Sequence, residues 1–364
     1  MGVYVSKTAI LYTLRRSVAP IPERLRSLVG SGRIILKGNR LDMLPFVAVK
    51  DLRWVDDREI LLRFANSKRV AIDRQVDAKT FAYVIGLYAA EGNKGRGGPD
   101  FSNTNRLLAK QYHDLLGSFV RADSHEYLIE GEGKRLTKVL VRIGGECVKR
   151  LLANSINSIM EYLATAGDFK NPLITDIAMN FLKGYGHGDG SVTSSKQEKT
   201  DKPRSNLYFS EGNYDRASKL KTLMTNLFGK AYLYRPRGRN YCLVVLSLAP
   251  KDALTLLRHG FFEHSAVMAK RIASKALESK SIQRLMLLYD VLGEGSFSIA
   301  ELGTNVPAIK PSFIQRALAQ SFLKTAGTKI PMSSGPRWYR KYRLSGSGLT
   351  MIREIKRYCE GLLD

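Results

Sequence analysis

Apolar positions along the chain fall into two periods, one of about 3.6 residues and one of two, and they alternate in blocks. The clearest helical block is FAYVIGLYAAEG, Phe81 to Gly92, and a second copy, FLKGYGHGDGSV, runs from Phe181 to Val192. After the first copy, Leu107, Leu108, Tyr112, Leu115 and Leu116 share one side of a helix expected over Arg106 to Phe119. Two alternating stretches then predict strands at Glu126–Ile129 and Lys138–Ile143, and helices follow at Cys147–Leu152 and Ile156–Thr165. The second copy is followed by the same order. FSNTN at Phe101 is echoed by FSEGN at Phe209, Tyr127-Leu128 by Tyr232-Leu233, and Leu151-Leu152 by Leu256-Leu257. Two such copies predict one pseudo-symmetric body, because a solenoid needs at least three repeats.

Both ends of the chain differ from this pattern. Ala9–Arg16 reads as a short helix, and Arg33–Leu36, Phe46–Trp54 and Ile60–Phe64 read as strands of a small mixed domain. Beyond a basic helix at His264–Ala276, helices are predicted at Ile282–Leu292, from Ile299 and over Ser312–Phe322. A basic hairpin around PRWYRKYRL, Pro336–Leu344, and a helix over Leu349–Leu362 come last. Three helices and a basic hairpin predict a winged helix-turn-helix-like unit, with the third helix in a major groove and the hairpin as wing. The domains expected are therefore 1–75 (mixed N-terminal extension), 76–170 and 171–279 (the two repeats), and 280–364 (winged-helix-like).

The two helical copies carry the chemistry. Small residues sit four apart in each, Gly86 and Ala90, then Gly184 and Gly188, and residues so spaced share a helix face. Two such faces let two backbones approach closely. Each copy ends in a carboxylate and a glycine, Glu91-Gly92 and Asp189-Gly190, and glycine just past a helix end predicts a left-handed cap. A carboxylate there faces the negative end of the helix dipole. If the helices pair, Glu91 and Asp189 also face each other, and like charges oppose joint ionisation. A cation between them relieves both costs. Mg²⁺ suits a carboxylate pair completed by water and phosphate oxygens, with Mn²⁺ or Ca²⁺ as substitutes in binding. The carbonyls of Ala90 and Gly188, where the helices end, are the next candidate ligands.

Composition narrows the partner. Lys plus Arg number 58 against 33 Asp plus Glu, a net charge of +25, which points to a polyanion and first to nucleic acid. The basic residues are spread along the chain rather than gathered in one amphipathic helix, and no apolar run reaches membrane-spanning length. Cys147, Cys242 and Cys359 lack metal-ligand spacing and fit a reducing compartment. The expected setting is a prokaryotic cytoplasm, with the protein on the nucleoid when bound.

Val84–Gly92 (VIGLYAAEG) and Leu182–Gly190 (LKGYGHGDG) resemble the LAGLIDADG motif of the homing endonucleases, in the form that carries two motifs in one chain. The resemblance spans roughly residues 76 to 275 and places the acidic residue on Glu91 and Asp189. Ala89 and His187 depart from it, since the family often has a second acid there. It implies an α+β fold, with two pseudo-symmetric αββαββα repeats whose antiparallel sheets form a DNA-binding saddle. It also implies a monomeric, metal-dependent endonuclease that hydrolyses both strands of a specific duplex site, encoded within an intron. Glu91 and Asp189 would each bind metal near one scissile phosphate. The family's basic residues around the site would fall here on Lys94 and, less directly, on Lys170.

Residues expected on the DNA side are Arg96, Asn103, Asn105 and Arg142 in the first repeat. In the second they are Lys196, Lys199, Lys202, Arg204, Tyr234, Arg235, Arg237 and Arg239, and in the hairpin near the C-terminus Arg340 and Lys341. Arg can bridge guanine edges and Asn adenine edges, while most such residues contact phosphate. Two other functions use the same features. One is a non-cleaving transcriptional regulator, for the layout also resembles bacterial sporulation-control regulators, which join such a body to a helix-turn-helix. The other is a maturase that binds intron RNA.

Overall fold

The computed structural model describes residues 21–359 except 22, 64–68, 93–99, 130–137, 167–168, 197–202, 300, 303–308, 320–321 and 333–334. The chain is a mixed α+β protein. It divides into two compact units, one formed by residues 1–190 with 209–245, the other by 191–208 with 246–364.

The first unit is built on the first motif helix, α1 (Ala78–Glu91). Asp77 caps it by accepting from the Thr80 amide at 2.8 Å, which satisfies one of the orphan donors of the first turn. Its apolar residues point all round, and Phe81, Ala82, Val84, Ile85, Leu87 and Tyr88 are fully buried, as expected of a helix enclosed on every side. The strand β7 (Asp100–Asn103), helix α2 (Arg106–Gly117), strands β8 (Val120–Arg121), β9 (Ser124–Ile129) and β10 (Lys138–Ile143), and helix α3 (Glu146–Thr165) follow. Strands β7, β10 and β9 form an antiparallel sheet in that order, and Phe101 of β7 stacks on Tyr112 of α2 at 4.3 Å. The second motif helix, α4 (Pro172–Asp189), is capped by Asn171 with proline in its first turn, where the missing N–H costs nothing.

Ahead of α1 lie β1 (Leu36–Lys37), β2 (Arg40–Asp42), β3 (Leu52–Val55), β4 (Glu59–Leu62), β5 (Val70–Asp73) and β6 (Gln75–Asp77). They form sheets of order β1-β2-β6 and β3-β4-β5-β8. This part differs from the sequence expectation. The strand expected over Phe46–Trp54 is two 3₁₀ turns, Leu44–Phe46 and Val49–Asp51, with extended chain only from Leu52. Pro45 and the Asp42 carboxylate, which accepts from the Leu44 amide at 3.0 Å, fold the chain locally. The strand expected at Arg33 begins only at Leu36, after Gly30 and Gly32, both at positive φ. The helix expected over Ala9–Arg16 lies outside the described residues.

After α4 come β11 (Gly190–Lys196), β12 (Pro203–Glu211), α5 (Tyr214–Phe228), β13 (Tyr232–Tyr234), β14 (Cys242–Ser247) and α6 (Pro250–Arg258). The four strands make a sheet of order β11-β12-β14-β13. Asn105 caps α2 and Asn213 caps α5, 108 positions apart, so the repeated FSxxN stretch is in both places a strand end followed by a helix cap. The second unit continues with α7 (Ala266–Leu277), α8 (Lys280–Leu292), α9 (Pro311–Ala319), the hairpin β15 (Leu323–Met332) and β16 (Gly335–Leu344), and α10 (Gly346–Cys359). Between α8 and α9 a further helix opens at Ile299. Ser298 and Glu301 cap each other's amides there, at 2.6 and 3.2 Å, a reciprocal capping box. Phe297 bridges Tyr342 of β16.

Candidate active site

The site begins where α1 and α4 touch. A Cβ on Gly86 would overlap the Phe181 carbonyl oxygen and lie 2.8 Å from the Tyr185 nitrogen. A Cβ on Gly184 would overlap the Tyr83 carbonyl oxygen and lie 2.9 Å from the Leu87 nitrogen. Each contact of one glycine has its counterpart 98 positions away with the helices exchanged, so the backbones meet in a two-fold register. One turn on, a Cβ at Gly188 would sit 2.5 Å from the Ala90 Cβ and 3.0 Å from the Glu91 Cγ. The same close packing brings the two helix C-termini together, with Glu91, Gly188 and Asp189 at one end of the pair.

The glycines after the acids do not act as left-handed caps. Gly92 has φ −67° and Gly190 φ −84°, both extended. What requires glycine is space: a Cβ at Gly92 would strike the Tyr88 ring, and one at Gly190 would lie 2.5 Å from the Gly186 carbonyl oxygen. The chain therefore leaves each helix straight into the following segment.

The two acids differ in setting. Glu91 is half-buried, and its carboxyl is pushed up from the ordinary carboxylate range to about 7. Burial is the main cause and the Asp189 charge the second, with Lys138 opposing both. Asn103 of β7 donates from Nδ2 to Glu91 Oε1 at 3.2 Å and accepts from the Asn105 amide at 2.8 Å. Asp189 is exposed. Behind the acids lies a polar network. The Tyr83 hydroxyl donates to Gln111 Oε1 at 3.0 Å and sits 2.8 Å from Nδ1 of the buried His187.

The remaining residues expected at the site are distributed less simply. Lys170 precedes α4, whose 18 residues put about 26 Å between its first residue and Asp189 at ~1.5 Å per residue. It cannot serve that carboxylate. Asn105 is a helix cap, accepting from the Leu107 and Leu108 amides at 3.0 and 3.3 Å, and the buried Asn103 faces Glu91 rather than solvent. Arg142 holds Asp100 in a two-pronged pair at 2.5 and 2.8 Å. Arg235, Arg237 and Arg239 are exposed at the turn joining β13 to β14, where the Arg239 amide donates to the Pro236 carbonyl at 3.2 Å. Tyr234 is exposed, Lys341 lies 3.9 Å from Glu301, and Lys196, Arg204 and Arg340 have only their strand placement described. Lys94, Arg96, Lys199 and Lys202 lie outside the described residues. Lys138 is the basic residue that sequence reasoning missed. Its proximity to Glu91 follows from the pairing of Val139 with Asn103 across β10 and β7, which no local pattern announces.

Residues 78–155, from the start of α1 into α3, match the family described as a LAGLIDADG-like domain. The chain carries a LAGLIDADG-like domain. Solved structures with partial likeness include the N-terminal LAGLIDADG domain of DUF199/WhiA, at 14% identity, with 50% of this chain and 82% of that one covered and a TM-score of 0.35. Full-length DUF199/WhiA from Thermatoga maritima aligns at 12% identity over 78% of this chain and 90% of that one, TM-score 0.36. The homing endonuclease I-DmoI in complex with DNA and Mn aligns at 15% identity over 46% and 90%, TM-score 0.32. No curated protein matches.

Where α1 and α4 end together, the candidate donors are two carboxylates, Glu91 and Asp189, and the terminal carbonyls of the two helices. Among the described residues there is no group of three or more His, Cys, Asp or Glu placed to hold a metal ion. Such an all-oxygen, carboxylate-poor set fits a hard divalent cation that keeps water and takes phosphate oxygens, and it fits poorly to zinc, which favours nitrogen and sulfur. Among the described residues no helix is long and apolar enough to cross a membrane.

Proposed function

We propose that this chain is a metal-dependent, site-specific endonuclease of duplex DNA, of the LAGLIDADG homing type. The observation that carries the reading is the forced convergence of Glu91 and Asp189 at the ends of two helices in backbone contact. The Glu91 carboxyl is held near 7 by burial and by the Asp189 charge. The helix–strand order of α4 to α6 is αββαββα, and this order, together with the antiparallel sheet that follows α1, supports the reading. A single chain supplies both acids, so a monomer suffices.

In this reading Glu91 and Asp189 hold the cation, Mg²⁺ by preference with Mn²⁺ or Ca²⁺ able to replace it in binding. The Ala90 and Gly188 carbonyls complete the protein's share. The bound ion would supply Lewis-acid stabilisation of the leaving oxygen and of an attacking water. Asn103 fixes the Glu91 rotamer through Oε1, and Lys138 adds positive charge that favours ionised Glu91. Lys94, three residues after Glu91, is retained as a further basic contributor. Arg96, Lys196, Lys199, Lys202, Arg204, Tyr234, Arg235, Arg237 and Arg239 would follow the DNA, with Arg340 and Lys341 contributing from the β15–β16 hairpin.

The C-terminal order of α8, the helix at Ile299, α9 and the β15–β16 hairpin favours a second reading. This is the order of a winged helix-turn-helix, a duplex-binding element that hydrolysis does not need, so the same chain could act as a non-cleaving regulator. Incubating the purified protein with a randomised duplex library, Mg²⁺ and then end capture separates the two. Recovery of defined ends from the wild type and none from Asp189→Asn supports the endonuclease. Tight, selective duplex binding with no ends under Mg²⁺ or Mn²⁺ supports the regulator.

A further inference from the structure

The hairpin of β13 and β14 combines two features that duplex recognition does not call for together. Tyr232 and Tyr234 alternate with Leu233 along β13, and both tyrosines are exposed, at 44% and 57%. They pair across the strand with Val245 and Leu243, so the rings stand on the outer face while Cys242, Val244 and Leu246 face the core. A third exposed ring, Tyr241, lies just before β14. Around them are Arg235, Arg237 and Arg239 at the turn, and the Lys230 ammonium sits 5.2 Å from the centre of the Tyr232 ring.

We propose that this face binds an unpaired stretch of nucleic acid, with bases stacked on Tyr232 and Tyr234 and the phosphates held by the arginines. The inference rests on the nucleic-acid reading above but adds a ligand class to it. In a duplex the base faces are already covered by their neighbours, and a groove presents only their edges, which Arg, Lys, Asn and Gln read. A tyrosine ring offers a face, and every unpaired base has a free face to place on it. The spacing agrees. Residues two apart on a strand are about 6.8 Å apart, twice the ~3.4 Å step between stacked bases of one duplex strand. Successive rings can therefore take successive bases only from a strand drawn out of duplex geometry. The cluster of Arg235, Arg237, Arg239 and Lys230 supplies the charge such a backbone requires, and the cation on Tyr232 occupies one ring face and leaves the other. In the first repeat Tyr127 of β9 matches Tyr232, but Ile129 stands where the second repeat has Tyr234, so the pair of rings belongs to the second repeat.

The test uses the full chain and three probes: a labelled oligodeoxythymidine of about 12 nucleotides, within the site sizes typical of stacking grooves, oligouridine of the same length, and a blunt duplex. A fluorescent purine analogue placed mid-strand reports stacking. Expected are binding of the single strand with quenching of the analogue, and a loss on the order of tenfold for each of Tyr232→Leu and Tyr234→Leu. Tyr232→Phe and Tyr234→Phe, which keep the ring, retain binding, and the duplex affinity of both Tyr232 variants stays at the wild-type value. A preference for oligouridine over oligodeoxythymidine names RNA as the source, equal binding names either single strand, and both support the site. Leucine variants that bind the oligonucleotides as the wild type does overturn it, as does a wild type that binds duplex but neither oligonucleotide. A wild type that binds none of the probes overturns the nucleic-acid reading itself.

Discussion

Replacing Glu91 by glutamine should stabilise the metal-free protein, and only at high pH. The substitution keeps the size of the side chain and leaves an oxygen to accept from Asn103, so packing at Gly188 is preserved. The carboxyl is raised from 4.5 to about 7 in the folded chain, so the folded state binds this proton more tightly than the unfolded state does. Stability from the protonated form is fully present below about pH 4.5 and declines as pH rises toward 7, since the folded state holds more protons across that window. The full shift would correspond to about 3.4 kcal/mol at ~1.36 kcal/mol per unit. Glu91 is only half-buried, and solvent screening reduces this to about 1–2 kcal/mol. For a unit of this size that is a rise in melting temperature of roughly 2–8 °C. Melting curves of wild type and Glu91→Gln in chelator, at pH 5 and pH 8, provide the assay. The difference should be near zero at pH 5 and appear at pH 8, and adding Mg²⁺ or Ca²⁺ at pH 8 should raise the wild type by more than the variant. A glutamine variant that is less stable at pH 8, or equally stabilised at both, would refute the account of Glu91 as a carboxyl strained by burial and by Asp189.

Gly184→Ala puts a methyl group into the Tyr83 carbonyl, so the helices must separate and stability should fall by about 1–3 kcal/mol; the variant's melting temperature checks this, and an unchanged value would mean the contact is looser than described. Asp189→Asn should abolish double-strand cleavage while gel-shift affinity for duplex stays near the wild type, because the change removes charge at an exposed position without altering the helix contact. Lys138→Met removes the charge that opposes the upward shift of Glu91, so the pH at which divalent ions begin to stabilise the protein should move higher. Duplex affinity should fall steeply with salt, with a log–log slope beyond about −3 given ~0.9 per neutralised phosphate; a shallower slope would not suit a chain of net charge +25.

The local signals in the chain carried the parts that depend on neighbours in sequence. Small residues four apart at Gly86 and Ala90, and at Gly184 and Gly188, declare a helix face made for close approach, because α-helical spacing puts them together wherever the helix goes. Asn105 and Asn213, each ahead of an amphipathic run, mark helix starts by the same local logic, although Asn105 was also expected to face DNA, because an Asn side chain looks the same in either role. What the pattern could not contain was register between distant strands. Lys138 reaches Glu91 only because Val139 pairs with Asn103, and β8 completes a sheet begun some fifty residues earlier by β4 and β5. Lys170 seemed near the second motif when measured in sequence and is a helix length from its acid in space. Apolar runs such as Phe46–Trp54 were ambiguous for a related reason, since burial alone does not distinguish an extended strand from two tight turns held by Pro45 and Asp42. The glycines after the acids gave the sharpest contrast: their place at the helix ends was evident from the chain, but the cause is crowding by Tyr88 and Gly186, each four residues back in the same helix, and that crowding arises only because the chain leaves each helix in an extended conformation.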